Sequence, residues 1–452
     1  MPPQRLPTTP PDRSALSSCS RPSESISLAT TRPCSTTSGS DFSRPCERTS
    51  NDDVSGPCHR CRRIHRLAPD RRAAGQRHRS RRPGSSPTER AGIDGRDGWY
   101  GRKFPEQHVG LVVVGVRARQ VTAPTGPWSP DVLHTLLRDT SPSADERWRR
   151  WCADLLLKDR LGPAELSEWW KVITEFDGVL GGYAEQPLDV PEGSVVVAGS
   201  GKEQFKTFNV STAAAILAAA SGTPVVKGIS RSVSAVSGAA DILDVLDIRA
   251  VDRPEALPEM LDRFGIAFVS YPLFCPRYAA RYDGVFGALN PASFFMPVAT
   301  ICVRARGYVL GLAHRDVTLA AAALRRIRPD LTTGVVASTE LSPGEMIDEH
   351  GDVGTRRLAR LADGLITCGI RQGQEPAQSW RHAVAHRPTH RGNAALVASA
   401  LKPGDDTPVT ALVELNAALV VAASGTDIDE AVDLVRRARR AGHAIRLLST
   451  LT

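Results

Sequence analysis

The chain has 452 residues, 41% of them hydrophobic and 23% charged, with a formal net charge of +8. That length leaves room for two or three domains and a large core, and no apolar run reaches the ~18 residues that a transmembrane helix needs. The charge is uneven: residues 1–104 hold 20 Arg and Lys against 10 Asp and Glu. The remainder is therefore slightly acidic, and the basic excess says little about what the folded part binds.

Residues 1–104 are rich in Ser, Pro and Arg and show no hydrophobic periodicity, so disorder is expected there, extending to residue 128. The segment reads first as a mis-set translation start. It reads otherwise as a basic arm able to contact nucleic acid, or as a transit peptide, against which its acids count. The first 30 residues lack the apolar h-region of a secretory signal. Five of the nine cysteines lie in this tail (Cys19, Cys34, Cys46, Cys58, Cys61); Cys58 and Cys61 form a CxxC with no second pair at zinc-finger distance, so loose thiols are expected. Residues 108–116, HVGLVVVGV, read as a lone strand or as more of the same material. Cys152, Cys275, Cys302 and Cys368 stand in apolar contexts and read as reduced core residues of a cytoplasmic protein.

Helices begin at Ser129-Pro130-Asp131, a cap residue followed by proline at the first helical position. Val132, Leu133, Leu136 and Leu137 then repeat at helical spacing; a second helix carries Trp148, Trp151, Leu155 and Leu156, and a third spans 164–176. From Pro191 short apolar strands alternate with helices, the signature of an α/β domain with a mostly parallel sheet. Expected strands are 195–198, 224–226, 266–270, 299–303, 308–312 and 334–337; expected helices are 239–245, 254–263, 318–326, 355–361, 411–423 and 429–441. Residues 371–406 read as polar surface loop. The architecture is thus a small helical domain (129–190) followed by an α/β domain (191–452).

The stretch 195–241 carries the chemistry. Its opening strand runs into Gly199-Ser200-Gly201, where two glycines permit a tight turn and close approach of a ligand. An alanine-rich helix follows at about 213–220, with Asn209 and Ser211 both good N-cap residues. Strand, glycine turn and helix N-terminus together make an anion site. Lys202, Lys206, Lys227 and Arg231 crowd the same segment, in a chain that has only seven lysines. The plain alternative is an ordinary βα unit with a solvated basic edge.

GSGKEQFKTFNVSTAAA (199–215) followed by KGISRSVSAVSGAAD (227–241) resembles the phosphoribosyl-diphosphate (PRPP) site of the anthranilate phosphoribosyltransferase family, glycosyltransferase family 3, which shares its fold with class II nucleoside phosphorylases. The resemblance is collinear over about 129–452, through CADLLLKDRLGPAELSEWWKVI (152–173) and NAALVVAASGTDIDEAVDLVRRARRAGHAIRLL (416–448). It implies a homodimer joined through the helical domain, with PRPP as donor, Mg2+ as cofactor and an aromatic amine or heterocycle as acceptor. Backbone N–H groups of Gly199, Ser200 and Gly201 would cradle the diphosphate. Asn209, Ser211 and Thr212 match positions that hold phosphates and magnesium, while Lys227 and Arg231 match phosphate-site cations. Asp348-Glu349 falls where the family has its metal-binding acid pair; a solvated acidic loop is the alternative. The tryptophans 148, 151, 169 and 170 read as core or dimer contacts, with an aromatic acceptor pocket the sharper alternative.

The departures fall in the glycine loop and on the acceptor side. Lys202-Glu203 stands where the family has Gly-Asp, so Glu203 would replace the aspartate while Lys202 puts a side chain where backbone usually passes. On the acceptor side, Gly228, Ile229 and Ser230 replace His-Gly-Asn, and the family's carboxylate-reading arginine has no clear counterpart; Arg277 and Arg281 are the nearest. The resemblance therefore implies a magnesium-dependent phosphoribosyltransferase whose acceptor need not be anthranilate. The competing expectation is a non-catalytic relative that binds nucleic acid or a phosphorylated ligand, for which the basic tail, Lys202 and Lys206 speak. Pyrimidine nucleoside phosphorylase shares the fold, but its lysine-threonine-glycine signatures are not seen.

Overall fold

A computed structural model describes residues 128–157, 160–231 and 236–452; the tail with its cysteines and the 108–116 stretch lie outside the described residues. The chain enters on α1 (Pro130–Arg138), α2 (Pro142–Leu157), α3 (Pro163–Phe176) and α4 (Gly178–Glu185). Proline opens each of the first three, where its missing N–H costs nothing. The glycine-rich α4 was not expected from the sequence. It forms because the Asp177 carboxylate accepts the N–H groups of Val179 and Leu180, both at 3.2 Å.

The α/β part then runs β1 (Val195–Gly199), α5 (Val210–Ala220), β2 (Val225–Ile229), α6 (Ala239–Val245), α7 (Leu257–Phe264), β3 (Ile266–Ser270), α8 (Pro276–Tyr282), α9 (Met296–Ala299), β4 (Gly307–Gly311), α10 (Val317–Ile327) and β5 (Thr333–Ser342). It continues through β6 (Glu345–Ile347), β7 (Thr355–Ala362) and β8 (Leu365–Gln372), and closes on α11 (Gln378–Val384), α12 (His390–Ala400), α13 (Pro408–Ala423), α14 (Ile428–Arg440) and α15 (His443–Leu451). The sheet order is β3-β2-β1-β4-β5-β7-β8, with β6 also on β5. The strands β1 to β5 are parallel, and β6, β7 and β8 add antiparallel.

Successive residues of the parallel strands face opposite cores, as the period of two requires. Val196, Ala198, Val226, Ala267 and Leu310 join the cluster that contains Leu133, Trp148, Trp169 and Leu324, so the four entry helices share a core with one face of the sheet. Val195, Val197, Val225, Phe268 and Val309 join the other, with the alanine-rich α5 and the apolar α13. Trp148 and Trp169 are core residues: Trp148 meets Phe286 edge-on at 5.0 Å, and both rings are at most 1% exposed. Cys152, Cys275 and Cys302 are buried free thiols, and Cys368 is half-buried.

Three assignments made from local pattern are corrected. Residues 355–361, read as a helix, form β7. The signal overlooked was Asp363-Gly364, whose φ of 50° and 71° make the primed hairpin turn that Asp-Gly favours. Residues 371–406, read as loop, contain α11 and α12; Trp380, Val384, Ala394 and Val397 bury a narrow apolar face that polar neighbours conceal in sequence. The expected strand at 299–303 is the end of α9 and an irregular buried run, with only Val303 bridging to Leu188. An apolar run shows burial without showing its backbone path.

Candidate active site

The strand order reverses between β1 and β4: the chain steps outward from β1 through β2 to β3, then returns to the other side of β1. In open parallel sheets, ligands bind beyond the carboxyl ends of the strands at such a crossover. The glycine turn leaves β1 at this point, and Ser200 N–H donates to the last β4 carbonyl, that of Gly311 (2.9 Å).

Asp348 lies across the turn. Its Oδ2 accepts Gly201 N–H at 3.0 Å and Ser200 Oγ–H at 3.3 Å. The two glycines are required for different reasons. Gly201 has φ +62°, a left-handed conformation, whereas a Cβ on Gly199 would stand 2.8 Å from Asp348 Oδ2. A side chain at Gly311 would likewise collide with the Asp348 carbonyl. Gly199→Ala is accordingly expected to fold but to turn the Asp348 carboxylate off the loop. The Mg2+ affinity, measured by calorimetry, should fall about tenfold, as for one lost charge-assisted hydrogen bond.

Glu349 is buried beside it; Thr207 Oγ1–H donates to its Oε1 (2.9 Å) and Thr339 Oγ1–H to its carbonyl (2.8 Å). Burial, then Asp348 and Glu203, hold the Glu349 carboxyl well above the usual carboxylate range. Burial and Asp348 raise Glu203 too, although Lys206 Nζ lies 3.1 Å from its Oε1. Oε2 of both glutamates, Oδ1 of Asn209 and Oγ1 of Thr212 are buried without a hydrogen-bond partner. Among the described residues no three carboxylate, imidazole or thiolate side chains converge closely enough to hold an ion alone. The donors present are hard oxygens, among them three acids, of which Asp348 and Glu203 raise Glu349, and they fit a magnesium ion that completes its shell with hydroxyl, water and phosphate oxygens.

Lys227 is 2% exposed at the centre of β2, in the phase that faces α5, where its neighbours Val225 and Ile229 are apolar. Its Nζ donates to Gly228 O at 2.7 Å. Burial pulls the ammonium down to about 8, against the pull of Asp348 and Glu349. Asn209 caps α5 by backbone only; Ser211 and Thr212 occupy the first turn, half-buried and fully buried.

Several expected roles change. Of the three turn N–H groups assigned to the diphosphate, those of Ser200 and Gly201 are committed to Gly311 and Asp348. Lys202 does not plug the turn: its Nζ reaches Phe286 O at 2.8 Å. Gly228 is tight because a Cβ would meet Ile301 Cδ1 at 2.8 Å, and Ser230, just beyond β2, is exposed. Arg231 is exposed, with its guanidinium on Asp241 (3.1 Å) and Asp244 (3.0 Å) of α6.

Arg281 is corrected outright. It is buried, bonded to Leu136 O (3.0 Å) and Asp145 (2.7 Å) and stacked on Trp148, so it braces the helical layer and no part of the cleft. Arg281→Met is expected to cost about 2 kcal/mol in chemical denaturation and to leave ligand affinity alone. Sequence reasoning missed Thr207, which orients Glu349 and sits in plain view within KTFNVST. It also missed His386, hidden in the stretch read as loop.

Residues 193–445, more than half of the chain, match the family described as "Glycosyl transferase family, a/b domain". The anthranilate phosphoribosyltransferase of Thiobacillus denitrificans is 31% identical over 266 residues, covering 58% of this chain and 75% of that protein. That of Rhodococcus opacus is 27% identical over 324 residues, 66% and 83% of the two chains. In fold, the chain is similar to anthranilate phosphoribosyltransferase from Thermus thermophilus (TM-score 0.55, 24% identity, 71% of this chain and 93% of that one). It is also similar to the Saccharomyces cerevisiae enzyme solved with PRPP and Mg (TM-score 0.56, 17% identity, 71% and 91%). The protein belongs to this glycosyl transferase family.

Proposed function

We propose that the chain is a magnesium-dependent phosphoribosyltransferase, carrying the 5-phosphoribosyl group of PRPP to an aromatic amine or related nitrogen acceptor. One observation carries the reading: Asp348 of an adjacent acid pair stands on a glycine turn at the crossover of a parallel sheet, with Glu349 held beside it by Thr207 and the buried Lys227 ammonium within electrostatic reach of both acids. In the reaction the C1–oxygen bond to the diphosphate breaks as the acceptor nitrogen forms its bond to C1; the diphosphate leaves with the bonding pair and the nitrogen releases one proton to solvent. The protein must hold the phosphates, screen the leaving charge and exclude water. Lys227 and the first turn of α5 bind phosphate oxygens, and Thr207 fixes the Glu349 carboxyl. Asp348, Glu349 and Ser211 would hold Mg2+, which when bound neutralises charge on the diphosphate.

The acceptor pocket has Gly228 and Ser230 in place of larger polar groups, and Arg281 is spent in the core, so anthranilate is not the favoured acceptor. The homodimer through α1–α4, and a cytoplasmic setting, belong to the same proposal; no described helix is long and apolar enough to cross a membrane. The test is PRPP consumption and diphosphate release with Mg2+ against a panel of aromatic amines and nitrogen heterocycles, anthranilate included. Turnover with one of them is expected. PRPP binding with no turnover on any would favour a non-catalytic member, and saturable DNA binding unaffected by PRPP would end the proposal.

A further inference from the structure

Among the described residues, His386 is the histidine whose ring joins three separate segments around the site. Residues 384–386 lie against 206–208: Phe208 N–H donates to Val384 O (2.9 Å), His386 N–H to Lys206 O (2.8 Å), and Thr207 bridges antiparallel to Ala385. From there the ring spans outward. Its Nδ1 is 3.2 Å from Thr207 O, and its Nε2 is 3.1 Å from both Ser237 N and Asn393 Nδ2. The partners fix the tautomer: a carbonyl only accepts and the amides only donate, so Nδ1 carries the hydrogen and Nε2 is bare. Ser237 Oγ also lies 2.7 Å from His390 Nδ1. Ser237 immediately precedes the N-cap of α6 in the segment after β2, and Thr207 is the residue whose hydroxyl holds Glu349.

We propose that neutral His386 is a positioning residue, the tie that sets the distance between the segment carrying Thr207 and the segment carrying Ser237, and so tunes affinity for the phosphorylated donor. This rests on the functional reading above. Protonation at Nε2 would set a third N–H against the amides of Ser237 and Asn393, and the tie would open. The charges facing the ring are Lys206 beside Thr207, Glu203 paired with that lysine, His390 and Arg387 on its own segment, and Glu349 across the Thr207 hydroxyl. Arg387 turns its guanidinium to the carbonyls of His382 and Ala383. Burial, with Lys206 and His390, holds the imidazole below its ordinary range, so the neutral form prevails at neutral pH.

The test compares wild type, His386→Leu and His386→Gln, because a glutamine amide can both accept and donate without titrating. Hydrogen exchange over 236–246 in the free protein, corrected for intrinsic rates, is expected to lose protection in acid in wild type. The Gln variant should keep it and the Leu variant should lack it at every pH. By calorimetry with PRPP and Mg2+ at pH 7.5, the Leu variant should bind about tenfold more weakly, the size of one buried donor left without its acceptor, and the Gln variant should recover most of that. Protection in wild type that ignores pH, an acid loss that persists in the Gln variant, or a PRPP affinity unmoved by Leu would each overturn the proposal. If wild type binds no PRPP at all, the functional reading falls, while the exchange measurements still decide whether His386 is the tie.

Discussion

Replacing Lys227 by methionine is expected to weaken PRPP binding about 100-fold or more, the loss of a charge-assisted contact to phosphate in a dry site. The same change should raise the midpoint of thermal unfolding. The ammonium is buried with Gly228 O as a neutral partner, and a shift from 10.5 to about 8 costs the fold roughly 3 kcal/mol at pH 7. Opposite signs on stability and affinity separate a site residue from a structural one. The pH dependence has a definite sense. Below pH 8 Lys227 is charged in the free protein and affinity is flat with respect to this group. Above 8 the free side chain loses its proton, binding must restore it, and the dissociation constant climbs by up to tenfold per pH unit until the pKa of the complex is reached. Calorimetry at pH 9 in two buffers of different ionisation enthalpy should register proton uptake in wild type and none in Lys227→Met. Equal uptake in both would assign the effect to another group.

Asp348→Asn combined with Glu349→Gln is expected to reduce Mg2+-supported turnover about 1,000-fold, in the range seen when a preorganised electrostatic contact to a developing charge is removed. The fold should survive. Thr207 Oγ1 can still donate to a glutamine oxygen, and the Glu349 carboxylate, which burial and the neighbouring Asp348 and Glu203 disfavour, gives way to a neutral amide. Because Glu349 is held well above the carboxylate range, it must lose a proton to bind a cation, so Mg2+ affinity should rise with pH. Mg2+ titrations at two pH values, followed by the shift in unfolding temperature, would show this directly. A double variant that keeps its magnesium response would remove these acids from the metal site.

The helices and strands that the sequence revealed are those whose cause is local. Pro130 and Pro163 open their helices, the β-branched run 195–197 makes a buried strand, and Asn209 heads an alanine helix because each acts on its own few neighbours. Where the cause was distant, the reading failed. β7 is a strand because β5 lies on one side of it and β8 on the other, though its Leu358 and Leu361 are spaced as in a helix. α11 and α12 fold because α13, and for α12 also α5 and α6, cover a narrow apolar face.

The same division runs through the site. The amino-acid order alone announced an anion-binding turn, a lysine just past a short strand and a pair of adjacent acids, since composition and spacing express those; that the strand runs on through Lys227 to Ile229 came only with the sheet. It could not tell that Asp348, 147 residues away, would occupy the N–H of Gly201. Nor could it tell that Lys202 would swing to Phe286, that Arg281 would be consumed by Asp145, or that His386 would bridge Thr207 and Ser237. A side chain's type is written locally, but its partner is chosen by which strand ends and loops the crossover of the sheet brings within 3 Å of one another.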